Sequence, residues 1–385
     1  MQYIKTIRWF PYKIPFRSSF TTAHGVLTTR RGAIVEIVTE NNLSGIGEIA
    51  PLPEFAGDDL STALAPLPML SSQLCGRDLL KAINMLYTQA SELPATTLCG
   101  LESALLDALG KDMERSVHEF VPSLQEADKS TDAINRVPTG TAFKKRVPVN
   151  IAIGVMPIEN TITHARKAVD AGYSCIKLKV GNGSAEEEIV RIAAVRSAIG
   201  PDIHLRLDAN EAWTLAEAMA ILSRCIPYNI QYVEQPLPAW NLDGMHTLRY
   251  NVPIPIAADE AASDQESVRR ILAQEAAQIL ILKPQLAGGL RAGRQLLSEA
   301  TQHGVQCVIT STIETGIGIA GALHLAAASP EVTLECGLAT LHLLADDLLI
   351  DGLALDSGFM VLPEGPGLGI RLDINALASY TNTNE

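Results

Sequence analysis

Aromatic residues make up only 5% of this 385-residue chain, and charged residues 19%. Positive charge is the scarcer sign, with 30 Lys and Arg against 43 Asp and Glu and a net charge of −13. A chain so poor in clustered cations has little to attract a phosphate backbone, which excludes a nucleic-acid partner. No apolar run approaches the roughly 20 residues of a membrane span, and Met1 to Phe10 lacks the apolar core of a secretory leader. No membrane partner is therefore expected, and a cytoplasmic location is. Cysteine is sparse too: the six residues lie far apart, with no pair at zinc-site spacing. Cys175, Cys307 and Cys336 fall in apolar, strand-like runs, which predicts buried thiols rather than disulfides. What is plentiful is aliphatic residue, within a hydrophobic content of 47%. That is enough for a large core, and the length suits one barrel with a smaller partner.

The chain has two rhythms. Up to Glu40 it alternates as strands do, in Tyr3-Ile4-Lys5-Thr6-Ile7 and Ala33-Ile34-Val35-Glu36-Ile37-Val38. A turn at Asn41-Asn42 leads into Gly45-Ile46-Gly47-Glu48-Ile49, and helical spacing takes over from Asp58 to Glu114, as in Leu101, Leu105, Leu106 and Leu109. Residues 1–122 thus read as an α+β unit. Residues 123–146 are polar and aperiodic and read as a linker, with an active-site lid as the alternative. From Val147 an apolar run, a polar residue and an amphipathic helix recur at near-constant spacing. The runs are 147–153, 175–180, 203–207, 230–233, 254–258, 279–282, 305–309 and 332–335. Eight strand–helix units predict a modified (β/α)₈ barrel over residues 147–350, in preference to an open doubly wound sheet. The tail, 351–385, is expected to return to the first unit.

Barrel enzymes of this kind carry their chemistry at the C-terminal strand ends. The second run ends in Lys177-Leu178-Lys179, the third in Asp208-Ala209-Asn210 and the fourth in Glu234-Gln235-Pro236. The fifth ends in Asp259-Glu260 and the sixth in Lys283-Pro284. One such residue is commonly a solvated loop group; five consecutive units delivering one to the same rim is a different matter. Asp208, Glu234 and Asp259 offer hard oxygen ligands suited to Mg²⁺, and no His or Cys stands there for zinc. Strand period two puts Lys177 and Lys179 on one face, where their mutual repulsion is expected to bring at least one pKa down toward neutrality. Lys283 comes from across the barrel. The set fits removal of a proton next to a carboxylate, with a base available on each side.

These motifs, with Gly45-Ile46-Gly47-Glu48 and Pro51-Leu52-Pro53, resemble the enolase superfamily and its muconate-lactonizing-enzyme-like subgroup over almost the whole chain. The resemblance implies an α+β cap over a modified barrel, and Mg²⁺ stabilising an enediolate. Within the subgroup, dipeptide epimerases carry an Asp-x-Asp pair in the eighth unit; this chain has Gly337-Leu338-Ala339-Thr340. That segment looks like the o-succinylbenzoate synthases, as do Ser311 to Glu314 before it, Leu344-Ala345-Asp346-Asp347 after it, and Pro363-Glu364-Gly365-Pro366-Gly367-Leu368-Gly369. Those enzymes dehydrate a cyclohexadiene carboxylate in menaquinone and phylloquinone biosynthesis. By resemblance Lys179 is the base and Lys283 a stabilising cation. Racemisation of N-acylamino acids, dipeptide epimerisation and muconate cycloisomerisation use the same lysines and stay open. A Schiff-base aldolase at Lys283 and a non-catalytic barrel are more distant alternatives.

Other signals need separate treatment. Gly316-Ile317-Gly318-Ile319-Ala320-Gly321 matches a dinucleotide fingerprint, but it follows the seventh strand and lacks a second mononucleotide half. It is better taken as a helix N-terminus with free N–H groups for a substrate carboxylate, with Ser311 and Thr312 as further donors. Asn210 and Gly337 complete the expected substrate contacts. His24 lies in a stretch that folds over the barrel mouth in relatives, and Trp213 is expected to pack or to touch substrate. His324 and His342 are expected to be structural.

Overall fold

The computed structural model describes residues 2–22, 25–55, 57–126 and 143–381. Its first unit opens on a meander in which β1 (Ile4–Thr22) pairs antiparallel with β2 (Gly25–Thr39), and β2 with β3 (Ser44–Ile49). Asn42 takes the turn's left-handed position, φ 61°, which its short polar side chain tolerates. Four helices follow: α1 (Leu60–Leu64), α2 (Leu67–Leu74), α3 (Leu79–Thr88) and α4 (Ala95–Asp112). Asp59 and Asp78 cap α1 and α3 through first-turn N–H groups. α4 is buried along nearly all its length against β3. The approach is close enough that a Cβ on Gly47 would stand 2.1 Å from the Gly100 carbonyl oxygen, which explains the glycines of the Gly45-Ile46-Gly47 motif.

The second unit begins with β4 (Arg146–Pro148), β5 (Ile151–Ile153), α5 (Ile158–Asp170), β6 (Cys175–Lys179) and α6 (Ala185–Ile199). Next come β7 (His204–Asp208), α7 (Leu215–Cys225), β8 (Ile230–Glu234) and α8 (Leu242–Asn251). Then follow β9 (Ile256–Ala258), α9 (Gln265–Ala273), β10 (Ile279–Leu282), α10 (Pro284–Ala287) and α11 (Leu290–Gln302). The series ends on β11 (Gln306–Ile309) and α12 (Gly316–Ala327). Strands β5 to β11 form one parallel sheet in sequence order. Single bridges from Cys336 to Val149 and from Gly337 to Thr310 close it. The result is a modified (β/α)₈ barrel with an α+β cap, as the repeat predicts.

Two expected strands differ. The run 332–335 forms none, and its place is taken by the Cys336 and Gly337 bridges. Glu335 turns inward instead: its carboxylate and its carbonyl each accept from the fully buried Arg206 guanidinium at 2.7 Å. The buried cation takes the Glu335 carbonyl that a strand would have spent on a ladder. The run 147–153 splits into β4 and β5, and only β5 joins the barrel sheet. β4 pairs with β13 (Phe359–Val361), which also pairs with β12 (Leu355–Asp356). The early part of the tail therefore pairs with the strand at the barrel's entry rather than with the cap. Later residues do reach the first unit: Leu368 N–H donates to Asp107 at 2.8 Å, and α13 (Ile374–Thr381) packs on β1.

The ends of the 123–146 segment are anchored. Leu124 is buried, and Lys144 donates to the Ser329 and Val332 carbonyls. Residues 127–142 and His24 lie outside the described residues. All six cysteines are free thiols, five buried and Cys75 half-buried. Among the described residues no helix is long and apolar enough to cross a membrane.

Candidate active site

The strand ends meet as the sequence predicts. In register, Lys179 stands opposite Asp208 and Asp208 opposite Glu234. Asp259 follows β9 and Lys283 follows β10, with β7, β8 and β9 lying between the two lysine-bearing strands. Lys177 Nζ donates to Glu234 at 2.7 Å and lies 2.9 Å from Asp208. Lys179 Nζ donates to the same Asp208 oxygen at 2.7 Å and to Asn210 Oδ1 at 2.5 Å. Lys283 pairs with Asp259, and its ammonium sits 3.8 Å from the centre of the Phe55 ring, a cation–π contact from the first unit. The backbone just past the carboxylates is unusual: Asn210, Glu211 and Gln235 have φ of 41°, 68° and 35°. Non-glycine residues in that region cluster where a site over-determines them.

Burial and charge set the protonation. Burial works to lower the Lys177 pKa, but Asp208, Glu234 and Asp259 outweigh burial and hold the pKa well above the lysine value. The repulsion that predicts a fall in at least one of the two lysines does not govern Lys177, where the carboxylates decide and not the second ammonium. Burial works to raise Asp208, yet Lys177 and Lys179 overcome it and hold the group low. Glu234 moves the other way, raised by burial and by its neighbour Asp208.

Sequence reasoning missed three supporting groups. Gln235 is buried, and its Oε1 accepts from the Asp259 and Ala261 N–H groups at 2.9 and 3.1 Å, fixing the turn that presents Asp259. Glu260 accepts from Asn210 Nδ2 at 2.8 Å and leaves its other oxygen buried without a partner. Phe55 is the third. Gln235 and Glu260 stand inside the quoted motifs without a role assigned to them there; nothing local marked Phe55.

The expected substrate contacts divide. Asn210 lies in the lysine cluster. The Ser311 hydroxyl pairs with that of Thr340 at 2.9 Å. The Thr312 hydroxyl is committed to Glu314 at 2.8 Å, at the seam with the first unit. Gly337 packs on Thr310, where a Cβ would come within 2.3 Å of the hydroxyl. Trp213 is buried, and His342 lies in a short 3-10 turn. His324 is fully buried, accepting from the His118 N–H and facing the Leu368 carbonyl, each at 3.1 Å. The α12 N-terminus is not free for a substrate. Glu48 fills it, accepting from Thr315 N–H at 3.0 Å and Gly318 N–H at 2.8 Å, while Gly316 N–H donates to the Asp347 carbonyl. A carboxylate does sit there, as the helix end favours, but the protein supplies it.

Among the described residues no three His, Cys, Asp or Glu side chains are gathered as a metal cage. Here Asp208, Glu234 and Asp259 each turn to a lysine. The donor set nonetheless fits a hard cation. It presents three carboxylates on neighbouring strands, each at least nine-tenths buried, with an unpartnered Glu260 oxygen beside them.

Comparison with known proteins agrees with the fold. Residues 160–376, more than half of the chain, match the family described as Enolase C-terminal domain-like. The chain belongs to the enolase superfamily. Residues 4–92 of this enolase-superfamily enzyme match the family described as MenC, N-terminal domain. It is 27% identical to the hydrophobic dipeptide epimerase of Enterococcus faecalis over 371 residues, 95% of this chain and 99% of that one. It is 37% identical to the o-succinylbenzoate synthase of Thermobifida fusca over 209 residues, 54% of this chain and 63% of that one. The structure of the Enterococcus faecalis dipeptide epimerase complexed with Mg and L-Leu-L-Tyr superposes with a TM-score of 0.84 at 27% identity, covering 96% and 99% of the two chains.

Proposed function

We propose that this enzyme is an o-succinylbenzoate synthase-like lyase, which dehydrates a cyclohexadiene carboxylate after removing the proton alpha to the carboxylate. The observation that carries this choice is the eighth position of the barrel. Gly337 to Thr340 place hydroxyl and aliphatic groups there and no carboxylate, and Thr340 pairs with Ser311. A substrate ammonium would find no counter-charge in that segment. The MenC match of the first unit and the likeness to the Thermobifida fusca synthase support the same reading.

Asp208, Glu234 and Asp259 are the residues that would hold Mg²⁺, which supplies positive charge against the carboxylate as it gains electron density. Lys179, placed by Asp208 and Asn210, takes the alpha proton on Nζ. Lys283, from the other side, stays an ammonium beside the resulting anion. Lys177, locked between Asp208 and Glu234, serves as a fixed cation that orders them. The ring carbon–oxygen bond then breaks. The departing hydroxide takes the proton from Lys179 and leaves as water, and the ring becomes aromatic.

The test is to assay the purified protein with Mg²⁺ on the cyclohexadiene carboxylate and on N-acylamino acids and dipeptides in D₂O. Dehydration is expected to be efficient and alpha-hydrogen exchange on the amino-acid substrates slow by comparison. Racemisation or epimerisation far faster than dehydration overturns the proposal and leaves the fold and family standing. In that event Lys283→Arg, which keeps charge but removes a usable base, restricts exchange to one enantiomer.

A further inference from the structure

Arg30 stands on β2 of the first unit, 2% exposed, and its guanidinium reaches the barrel. Nε donates to the Ile313 carbonyl at 2.9 Å, Nη1 to the Pro51 carbonyl at 2.6 Å and Nη2 to the Ala50 carbonyl at 2.6 Å. A further bond from Nη1 goes to the Arg31 carbonyl. All four acceptors are neutral carbonyl oxygens. Burying a cation against neutral partners is costly, so a position that does so is explained by what it holds in place.

What it holds is the barrel mouth, on two sides. Ala50 and Pro51 begin the turn that carries Phe55 over Lys283. Ile313 belongs to the segment after β11 that carries Ser311, and its backbone is in the left-handed region, φ 62°. For a β-branched residue that conformation is an outlier, and it persists only where the surroundings fix it. Arg30 grips its carbonyl, and its N–H donates to Ser311 Oγ at 3.3 Å. Ser311 Oγ in turn faces Thr340, on the segment that distinguishes the candidate reactions.

We infer that Arg30 is a positioning residue for substrate binding: it holds Ile313 in its left-handed conformation, and so sets Ser311, while fixing the turn that presents Phe55. The cap thereby shapes the barrel mouth through one buried guanidinium. This inference rests on the proposed reaction only for the choice of substrate.

The test uses the full chain with Arg30→Met. Methionine fills part of the volume and makes none of the four bonds. On the cyclohexadiene carboxylate, KM is expected to rise tenfold or more while kcat changes less than threefold. Mg²⁺ affinity by calorimetry should stay within twofold of the parent, because the three carboxylates stand on other strands. Ile313→Gly on the Arg30→Met background should recover at least half of the lost kcat/KM, since glycine adopts this φ without a Cβ penalty. A merely structural clamp would lower stability without that KM-specific loss and rescue. Unchanged KM in Arg30→Met, or a double variant no better than the single one, overturns the inference. Should Arg30→Met fail to fold, Arg30→Lys takes its place, keeping the charge but not the fork that reaches Ile313 and Ala50 together. If the parent does not turn over this substrate, the proposed function falls and amide hydrogen exchange over residues 311–315 decides for Arg30. Exchange at least tenfold faster in the variant supports the inference, and unchanged exchange overturns it.

Discussion

Replacing Glu48 by glutamine keeps the shape of the side chain and removes one acceptor oxygen from the seam between cap and barrel. Four donors converge on the native carboxylate: the Tyr12 hydroxyl at 2.5 Å, the Thr315 N–H at 3.0 Å, the Thr315 hydroxyl at 2.6 Å and the Gly318 N–H at 2.8 Å. The two hydroxyls can rotate to other partners. The two N–H groups cannot, because the start of α12 fixes their direction. A glutamine that turns its oxygen to one of them must turn its amino group to the other. One buried N–H then loses its acceptor, at about 1–3 kcal/mol, and the other keeps only a neutral bond, at roughly 1 kcal/mol more. The expected loss is therefore about 2–4 kcal/mol, a large share of the roughly 5–15 kcal/mol that holds most folded proteins together. Urea denaturation followed by circular dichroism should show a lower midpoint with an unchanged slope, and Glu48→Ala should lose more by adding a void. A loss below about 0.5 kcal/mol in both variants would refute the account of the α12 N-terminus as a site this carboxylate fills.

Lys179→Ala is expected to reduce turnover by roughly 10² to 10⁴, the worth of a positioned base, and steady-state activity above a tenth of the parent would reject that role. Asp208→Asn and Glu234→Gln should each weaken Mg²⁺ binding in calorimetry and abolish turnover, as chelation by EDTA should in the parent; unchanged affinity in both variants would remove them as ligands. His324 gives a pH signature: burial, with His118 beside it, lowers its pKa to about 3 from the ordinary imidazole value of 6.5. The native state then binds fewer protons than the unfolded one between those values, so its stabilisation is complete above pH 6.5 and is lost as pH falls toward 3. Between pH 7 and 5 the parent should lose about 2 kcal/mol through this group, and denaturation curves of His324→Gln should show a correspondingly flatter pH dependence.

The barrel was legible because five consecutive strands end on ionisable residues and the helices between are amphipathic, both local patterns. Lys177, Lys179, Asp208, Glu234, Asp259 and Lys283 follow from register alone, since parallel neighbours bring their ends to one rim. What local pattern could not supply was pairing over distance. The run 332–335 reads as a strand by composition, yet Glu335 is claimed by Arg206, 129 residues away. The α12 N-terminus looks open in sequence, because the carboxylate that fills it lies 270 residues earlier. A lowered pKa, expected for at least one lysine of the pair, is not found at Lys177 for a related reason: period two revealed its like-charged neighbour, while the carboxylates that outweigh it sit on other strands. Phe55 and Arg30 carry no motif. Their roles exist only once the cap lies on the barrel.

The same long-range pairing sets the order in which this molecule can be made. A nascent chain releases the cap first, carrying Arg30, Glu48 and Asp107 as polar groups destined for burial. Arg30 must wait 283 residues for the Ile313 carbonyl, and Asp107 waits 261 for the Leu368 N–H. β4, which opens the barrel half, has no ladder until β13 has been made. Until then each polar group keeps only its partners within the cap, Arg30 the Ala50 and Pro51 carbonyls, Glu48 the Tyr12 hydroxyl and Asp107 the Ile46 N–H, and the cap's final packing is out of reach. Folding of such high contact order is slow and largely post-synthetic, which makes the unfinished cap the species most exposed to aggregation or chaperone capture.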